Sequence, residues 1–244
     1  MGIEAKEDWL KGERLYIDKP LDMTSFNVVR LIRGEIAKTL EVKAKSVNVG
    51  HAGTLDPKAT GVLIVCTGKE TKNIDNLQGQ TKEYVADLYL GATTPSYDTE
   101  HEIDKTYSTE HITRDLVDDK IRNFVGTIEQ EPPAYSAIKI DGRRAYKMAR
   151  QGEKVEMKKK TLTIDEIEVL AFELPLLRIR VVCSKGTYIR ALARDIGESL
   201  GSGAYLTALR RTRIGDVRVE DCVQLDDLLK RLREERNSEK KAHA

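Results

Sequence analysis

Cysteine is scarce in this chain, and the three that occur are ill placed for either of its usual roles. Cys66, Cys183 and Cys222 lie far apart, are odd in number and form no C-x-x-C pair, and only four histidines accompany them. A disulfide framework and a zinc site are both disfavoured. The thiols fit small core hydrophobes in a reducing cytosol. Long apolar runs are also missing: Val62 to Cys66 falls far short of a bilayer span. The opening MGIEAKEDWLKGER has no apolar core of signal-peptide length, and Lys6 stands where a myristoylation signal needs Ser or Thr. Neither charge dominates, since 41 basic and 40 acidic residues leave a net +1, so global charge predicts no partner. The GKET at 68–71 ends like a phosphate loop, but Gly61 lies seven residues before Gly68 and Glu70 follows the lysine. There is no G-x-S-x-G elbow, H-E-x-x-H helix or dinucleotide fingerprint. These absences predict a soluble, cytoplasmic protein with no metal site.

What is present is a chain of 244 residues, 40% hydrophobic and 33% charged, enough for one large domain or two modest ones with a buried core. Residues 1–12 read as a loose leader, 13–234 as one domain and 235–244 as a disordered, solvated tail. RLYID at 14–18 alternates like a strand and is stopped by Lys19-Pro20. Thr24 or Ser25 is placed to cap a helix reaching about Leu40, with Val28, Val29, Ile32 and Ile36 on one side. Further strands are predicted over 62–67, 83–90, 161–170 and 176–182, and helices over 114–124, 143–151 and 189–200, with a last strand at Val217 and Val219 and a last helix over 225–232. Strands and helices interleave without a steady βαβ beat. The fold class is therefore α+β, with a mixed, largely antiparallel sheet flanked by helices.

Charge is uneven along the chain. Residues 139–160 hold nine basic residues against three acids, with Tyr135 and Tyr146 close by, and look like an excursion from the sheet. Arg210, Arg211, Arg213 and Arg218 form a second basic cluster, while 98–120 is acidic. A basic segment with aromatics suits a phosphate backbone and exposed bases, and a solvated surface explains a single such window equally well. Two clusters together tilt the balance toward nucleic acid.

The most distinctive stretch is VGHAGTLDPKATGVLIVCTG at 49–68. Glycines at 50, 53 and 61 permit tight backbone geometry, and Pro57 pushes Asp56 out of helical dihedrals. Asp56 either caps a turn or is displayed for chemistry just before a buried strand. A second stretch, CSKGTYIRALARDIG at 183–197, places Tyr188 and Arg190 at the end of a strand or the start of a helix. An Arg beside a partly buried Asp holds it ionised and orients it; the plain alternative makes Arg190 a surface helix residue and Tyr188 a core edge.

Five segments in order carry a resemblance. GHAGTLDPKATGVL closely resembles the catalytic motif of the TruB-type pseudouridine synthases. LYIDKPLDMTS is similar to their K-P-x-G-x-[ST]-S segment, with Asp22 in the place of the glycine, a residue that tolerates left-handed geometry. KEYVADLYLGATTPSYDTE, QEPPAYSAIKIDGRRAYKMAR and CSKGTYIRALARDIG resemble three further family motifs. The resemblance implies the pseudouridine synthase fold and the isomerisation of a uridine in RNA, without metal or cofactor. It implies Asp56 as nucleophile toward either ribose C1′ or the base, Arg190 as its ion-pair partner and Tyr188 as the base that removes the C5 proton. Tyr84 would stack on the flipped base, His51 would lie near it, and Lys19 and Pro20 would support the edge of the site. The insertion at about 130–160 would clamp RNA, with Lys139, Arg143, Arg144 and Tyr146 as contacts. In bacterial members the insertion grips the tRNA T-loop and the target is uridine 55. The expected protein is a monomer without the further C-terminal RNA-binding domain of the PUA type that many relatives carry. Two alternatives are a guide-RNA-dependent, dyskerin-like synthase and a non-catalytic tRNA-folding helper.

Overall fold

The computed structural model describes residues 8–242. Helix α1 (Asp8–Lys11) precedes strand β1 (Arg14–Lys19). The Asn27 amide donates to the Thr24 hydroxyl (3.0 Å), and this cap starts α2 (Ser25–Thr39). A 3₁₀ turn leads to β2 (Val49–His51), and β3 (Ala59–Thr67) follows the Asp56 loop. A second 3₁₀ turn and α3 (Ile74–Gly79) come before β4 (Lys82–Leu90). The acidic stretch then holds only β5 (Ala92–Thr93), β6 (Lys105–Thr106) and α4 (Arg114–Arg122). Next are β7 (Gly126–Gln130), β8 (Lys139–Ile140), β9 (Arg143–Arg144) and α5 (Ala145–Arg150). Strands β10 (Lys160–Glu173) and β11 (Leu176–Cys183) form a long hairpin before α6 (Ile189–Ser199). The chain continues through β12 (Ala204–Ile214), β13 (Val217–Arg218) and β14 (Val223–Gln224) into α7 (Leu225–Ala242).

The chain divides into two compact units, one made of the segments before residue 81 and after residue 209, the other of residues 81–209. The first unit has the strand order β14-β1-β3-β12, with β2 on β3 and β13 on β12. Strand β1 pairs parallel with β14 and antiparallel with β3, so the sheet is mixed. Strand β3 is buried on both faces, which explains its unbroken apolar run. Leu63 and Val65 pack with Ile17, Val28 and Ile32 and with Leu228 and Leu232 of α7, while Val62, Ile64 and Cys66 pack with Ala52, Leu77 and Ile214.

The second unit has the order β12-β4-β11-β10-β7. Strand β4 alternates strictly, with Tyr84, Ala86, Leu88 and Leu90 buried; the first three pair in register with Val181, Ile179 and Leu177 of β11, and the Leu90 amide donates to the Pro175 carbonyl (2.8 Å). The opposite face is polar. Arg178 forks onto its cross-strand partner Asp87 (2.5 and 2.8 Å), and Arg180 bridges Glu83 (3.3 Å), Glu168 (2.8 Å) and Glu166. Strands β8 and β9 form a small sheet of their own, so the basic segment is an excursion from the main sheet. Its hairpin turns at Asp141 and Gly142, both with positive φ (48° and 81°), the geometry of a two-residue Asp-Gly turn.

Four expectations are corrected. Residues 8–11 of the expected leader form α1 with Trp9 buried, while 1–7 lie outside the described residues. Residues 235–242 of the expected tail belong to α7, where Arg236 donates to Glu35 (2.9 Å). Strands β7 and β12 are not among the predicted strands: β7 is five residues long with Ile128 as its one large apolar side chain, and β12 lacks period-two alternation. The second basic cluster, which with the first tilted the reading toward nucleic acid, is partly engaged within the protein: Arg211 is 1% exposed, Arg210 pairs with Asp18 (2.7 Å) and Arg213 donates to the Gly215 carbonyl (2.9 Å).

Candidate active site

In the first unit the loop between β2 and β3 is fastened from several sides. The Ser25 hydroxyl donates to the Leu55 carbonyl (3.0 Å) and accepts from the Leu55 amide (2.9 Å), fixing the residue before Asp56 to the start of α2. The Asp22 amide donates to the Pro57 carbonyl (2.9 Å), and Lys58 pairs with the Asp22 carboxylate (2.7 Å). Asp22 has φ 59°, so the turn that usually takes glycine is kept by an aspartate. Lys19 is fully buried, and its ammonium donates to the carbonyls of Pro20 (2.7 Å), Met23 (2.6 Å) and, more weakly, Pro57 (3.5 Å). Burial pushes the Lys19 ammonium down to about 8, with Arg211 adding to the shift and Asp56 opposing it. Asp56 itself is half-buried, and its carbonyl accepts from the Ala59 amide (3.1 Å) as β3 begins. His51 is half-buried. Burial first and Arg211 second hold it below the usual histidine range, so it is neutral at neutral pH.

In the second unit Tyr188 is the extended N-cap residue of α6 (φ −100°, ψ 108°) and Arg190 stands in its first turn, so of the two expected positions the start of a helix is the one found. Gln130 at the end of β7 grips Tyr188 through its backbone: the Tyr188 amide donates to Gln130 Oε1 (2.9 Å), and Gln130 Nε2 donates to the Tyr188 carbonyl (3.2 Å). Arg190 is 4% exposed and donates to the carbonyls of Ser96 (3.2 Å) and Tyr135 (3.0 Å). It also lies 3.7 Å from Asp98 Oδ2, and both side chains are buried. Asp98 is locked in turn by the Ser96 hydroxyl (2.6 Å) and the Glu100 amide (2.9 Å). Arg190 thus joins two loops, 94–100 and 131–136, to the start of α6. Tyr84 is 8% exposed on β4.

Three of the four insertion residues, Lys139, Arg143 and Arg144, line a cavity of about 360 Å3 together with Gly142, Lys147 and Gln151, and Tyr146 is not part of its lining. Arg143 forks onto Glu153 (2.6 and 3.0 Å) and reaches Gln151 (2.8 Å), and Arg144 donates to the Ala137 carbonyl. Tyr146 is half-buried, with the Arg150 guanidinium over its ring at 5.6 Å; Arg150 also pairs with Glu100 (2.5 Å). The predicted residues therefore fall into groups: Lys19, Pro20, His51 and Asp56 in one unit, and Tyr84, Tyr188, Arg190 and the insertion set in the other. Sequence reasoning missed Ser25, Asp98 and Gln130 as supports. All three stand inside recognised motifs, but nothing in spacing alone says which backbone or side chain each one grips.

Residues 38–189 match the model of the TruB family pseudouridylate synthase N-terminal domain, and residues 190–243 that of the tRNA pseudouridylate synthase B C-terminal domain. The chain belongs to the TruB family. A tRNA pseudouridine synthase B of Phocaeicola vulgatus is 64% identical over 216 residues, covering 88% of this chain and 91% of that protein. The tRNA pseudouridine synthase B of Parabacteroides distasonis is 60% identical over 225 residues, 91% of this chain and 95% of that one. Among solved structures, a chain of a Cbf5-Nop10-Gar1 complex shares 31% identity at a TM-score of 0.67 over 93% of this TruB member. A chain of an H/ACA RNP bound to a substrate RNA containing 2′-deoxyuridine shares 30% at 0.65. This TruB chain spans 56% and 55% of those two solved chains. Among the described residues, no helix is long and apolar enough to cross a membrane.

Proposed function

We propose that this protein is a tRNA pseudouridine synthase that isomerises uridine 55 of the T-loop, acting as a cytoplasmic monomer. The observation that carries the reading is the fastening of the Asp56 loop: Ser25 on Leu55 and Lys19 on Pro57 leave Asp56 half-buried between two fixed backbone points. Such a carboxylate needs no reorganisation when a nucleotide arrives, and catalysis by position depends on that.

In the proposed mechanism the target uridine leaves its stack, and Tyr84 offers its ring as a platform. Asp56 acts as nucleophile on the ribose C1′ or on the base, and Arg190 stabilises its charge. The N1–C1′ bond breaks, the base turns and C5 bonds to C1′. Tyr188 accepts the C5 proton, N1 gains one, and substrate and product are isomers. Gln130 and Asp98 act behind these groups by fixing the backbone of Tyr188 and the guanidinium of Arg190. Lys139, Arg143, Arg144 and Tyr146 hold the RNA backbone and loop. Arginines that now meet Glu153 and Glu100 present donors that phosphate oxygens accept equally well.

The test is a T-loop minihelix deuterated at uridine C5, incubated with the purified protein alone. Release of the label and loss of its mass from the RNA is the expected result. It requires neither guide RNA nor partner protein, so it also discriminates against the guide-dependent alternative. Binding without label release would leave the folding-helper reading in its place.

A further inference from the structure

We infer that Arg211 is a positioning residue for Asp56, holding the near end of the loop by its backbone. This rests on the proposal that Asp56 carries the chemistry. Arg211 is among the largest fully buried side chains of the protein. A guanidinium taken out of water is costly unless its donors are met. Among the described residues no carboxylate ion-pairs with Arg211. Its partners are backbone carbonyls: Nε donates to Val62 (2.8 Å), Nη2 to Gly53 (3.1 Å) and Nη1 to Thr54 (3.5 Å). The planar fork therefore ties strand β3 to the loop that carries Asp56 two residues later.

Backbone geometry fixes both ends of this tie. Gly61 of β3 has φ 103°, and a Cβ there would fall 2.1 Å from the Arg211 carbonyl oxygen, so the two backbones touch where the side chain is rooted. At the other end Gly53 has φ 102°, and a Cβ on it would meet Arg211 Nη1 at 3.7 Å. The neighbouring arginine shows what this one is not. Arg210 leaves β12 on the opposite side, keeps 41% of its side chain exposed and meets the carboxylate of Asp18. Lys19 does for Pro57 what Arg211 does for Gly53 and Thr54, so buried cations grip the carbonyls on both sides of Asp56. Methionine fills similar volume but donates nothing. Lysine keeps the charge but, as a single point, cannot span Val62, Gly53 and Thr54 in one plane.

The test measures label release and T-loop RNA affinity for Arg211→Met and Arg211→Lys, with thermal unfolding of each and Asp56→Asn alongside. A loop displaced by an ångström misplaces the carboxylate without touching the RNA-gripping surface. The expected result is a kcat lower by about 10²-fold for Arg211→Met and by about tenfold for Arg211→Lys, with RNA Kd and KM within about threefold of the parent in both. A folded Arg211→Met with parental kcat overturns the inference. So does loss of folding in both variants, which makes Arg211 a core residue only, or a rise in Kd that accounts for the whole defect. Parental turnover by Asp56→Asn would instead remove the proposed role of Asp56, whatever Arg211 does.

Discussion

The Asp56 loop and the basic insertion are both irregular segments, yet they are held by opposite means. The loop at 51–59 is tied down by buried groups whose partners are backbone carbonyls and amides: Lys19, Ser25 and Arg211. None of these bonds can be exchanged for a bond to a ligand without exposing a buried polar group. The start of the insertion is fastened by buried Arg190 through the Tyr135 carbonyl, but beyond it Arg143–Glu153 and Arg150–Glu100 are pairs whose arginines are more than half exposed. Exposed pairs of this kind contribute at most about 1 kcal/mol and yield readily to a competing anion. The difference teaches a division of labour: the carboxylate proposed to react sits in a loop held by buried bonds, and the arginines proposed to grip RNA sit where their carboxylate contacts are replaceable.

The sharpest way to break this comparison is at Asp56. Asp56→Asn keeps the shape of the side chain and removes the proposed nucleophile. Turnover of T-loop RNA is expected to fall by at least about 10³-fold, with RNA affinity within about threefold of the parent. Near-parental label release would take Asp56 out of the mechanism. Next in size is Arg190, which a surface reading would have made dispensable. Its burial against Asp98, Ser96 and Tyr135 makes Arg190→Ala expensive, by about 10² in kcat or more. Tyr84→Phe keeps the stacking face and should cost less than Arg190→Ala in the same single-turnover assay. The reverse order would mean that the Tyr84 hydroxyl matters more than the guanidinium.

The insertion should respond differently in kind. Lys139→Ala is expected to weaken RNA binding by about threefold to tenfold at moderate salt and to lower the salt slope of affinity by about one. Its kcat at saturating RNA should stay parental. Titrations at several salt concentrations check this, and a kcat defect with unchanged affinity would erase the distinction drawn between the two regions.

Much of this was legible in the residues, for identifiable reasons. Helix α2 was readable because Thr24 caps it and its apolar residues recur at helical spacing. Strand β4 was readable because it alternates without a fault. Asp56 stood out because proline and glycines surround it. Strand β12 was not readable. Its burial follows no two-residue period, and three of its residues are arginines that look like surface charge on paper. That same misreading hid Arg211, since composition cannot tell a guanidinium that meets carbonyls from one that meets water. Asp98 was hidden in another way: it stood among acids that read as one solvated stretch, although it alone among the acids of 98–104 is buried.

The remaining predicted effect, no larger than that at Lys139, tests the rigid side of the comparison through Lys19. Its ammonium titrates at about 8 in the folded protein against an ordinary value of 10.5. Below about 8 it is charged and donates to the Pro20, Met23 and Pro57 carbonyls; above, a neutral amine donates more weakly. Turnover is therefore expected to fall by about threefold to tenfold as pH rises through that value, since a charged donor exceeds a neutral one by about 1 kcal/mol. Stability should move the other way. Between about 8 and 10.5 the unfolded chain binds more protons at this lysine than the folded one, so the contribution of Lys19 to folding stability rises with pH across that window. Urea unfolding of the parent and of Lys19→Met across this range isolates the term, because other groups titrate alike in both. The parent should gain stability relative to the variant as pH rises, while its turnover declines. A parent that instead lost stability relative to Lys19→Met over that window would mean that the lysine keeps its proton when buried, and that the loop is held by a charge at every pH tested.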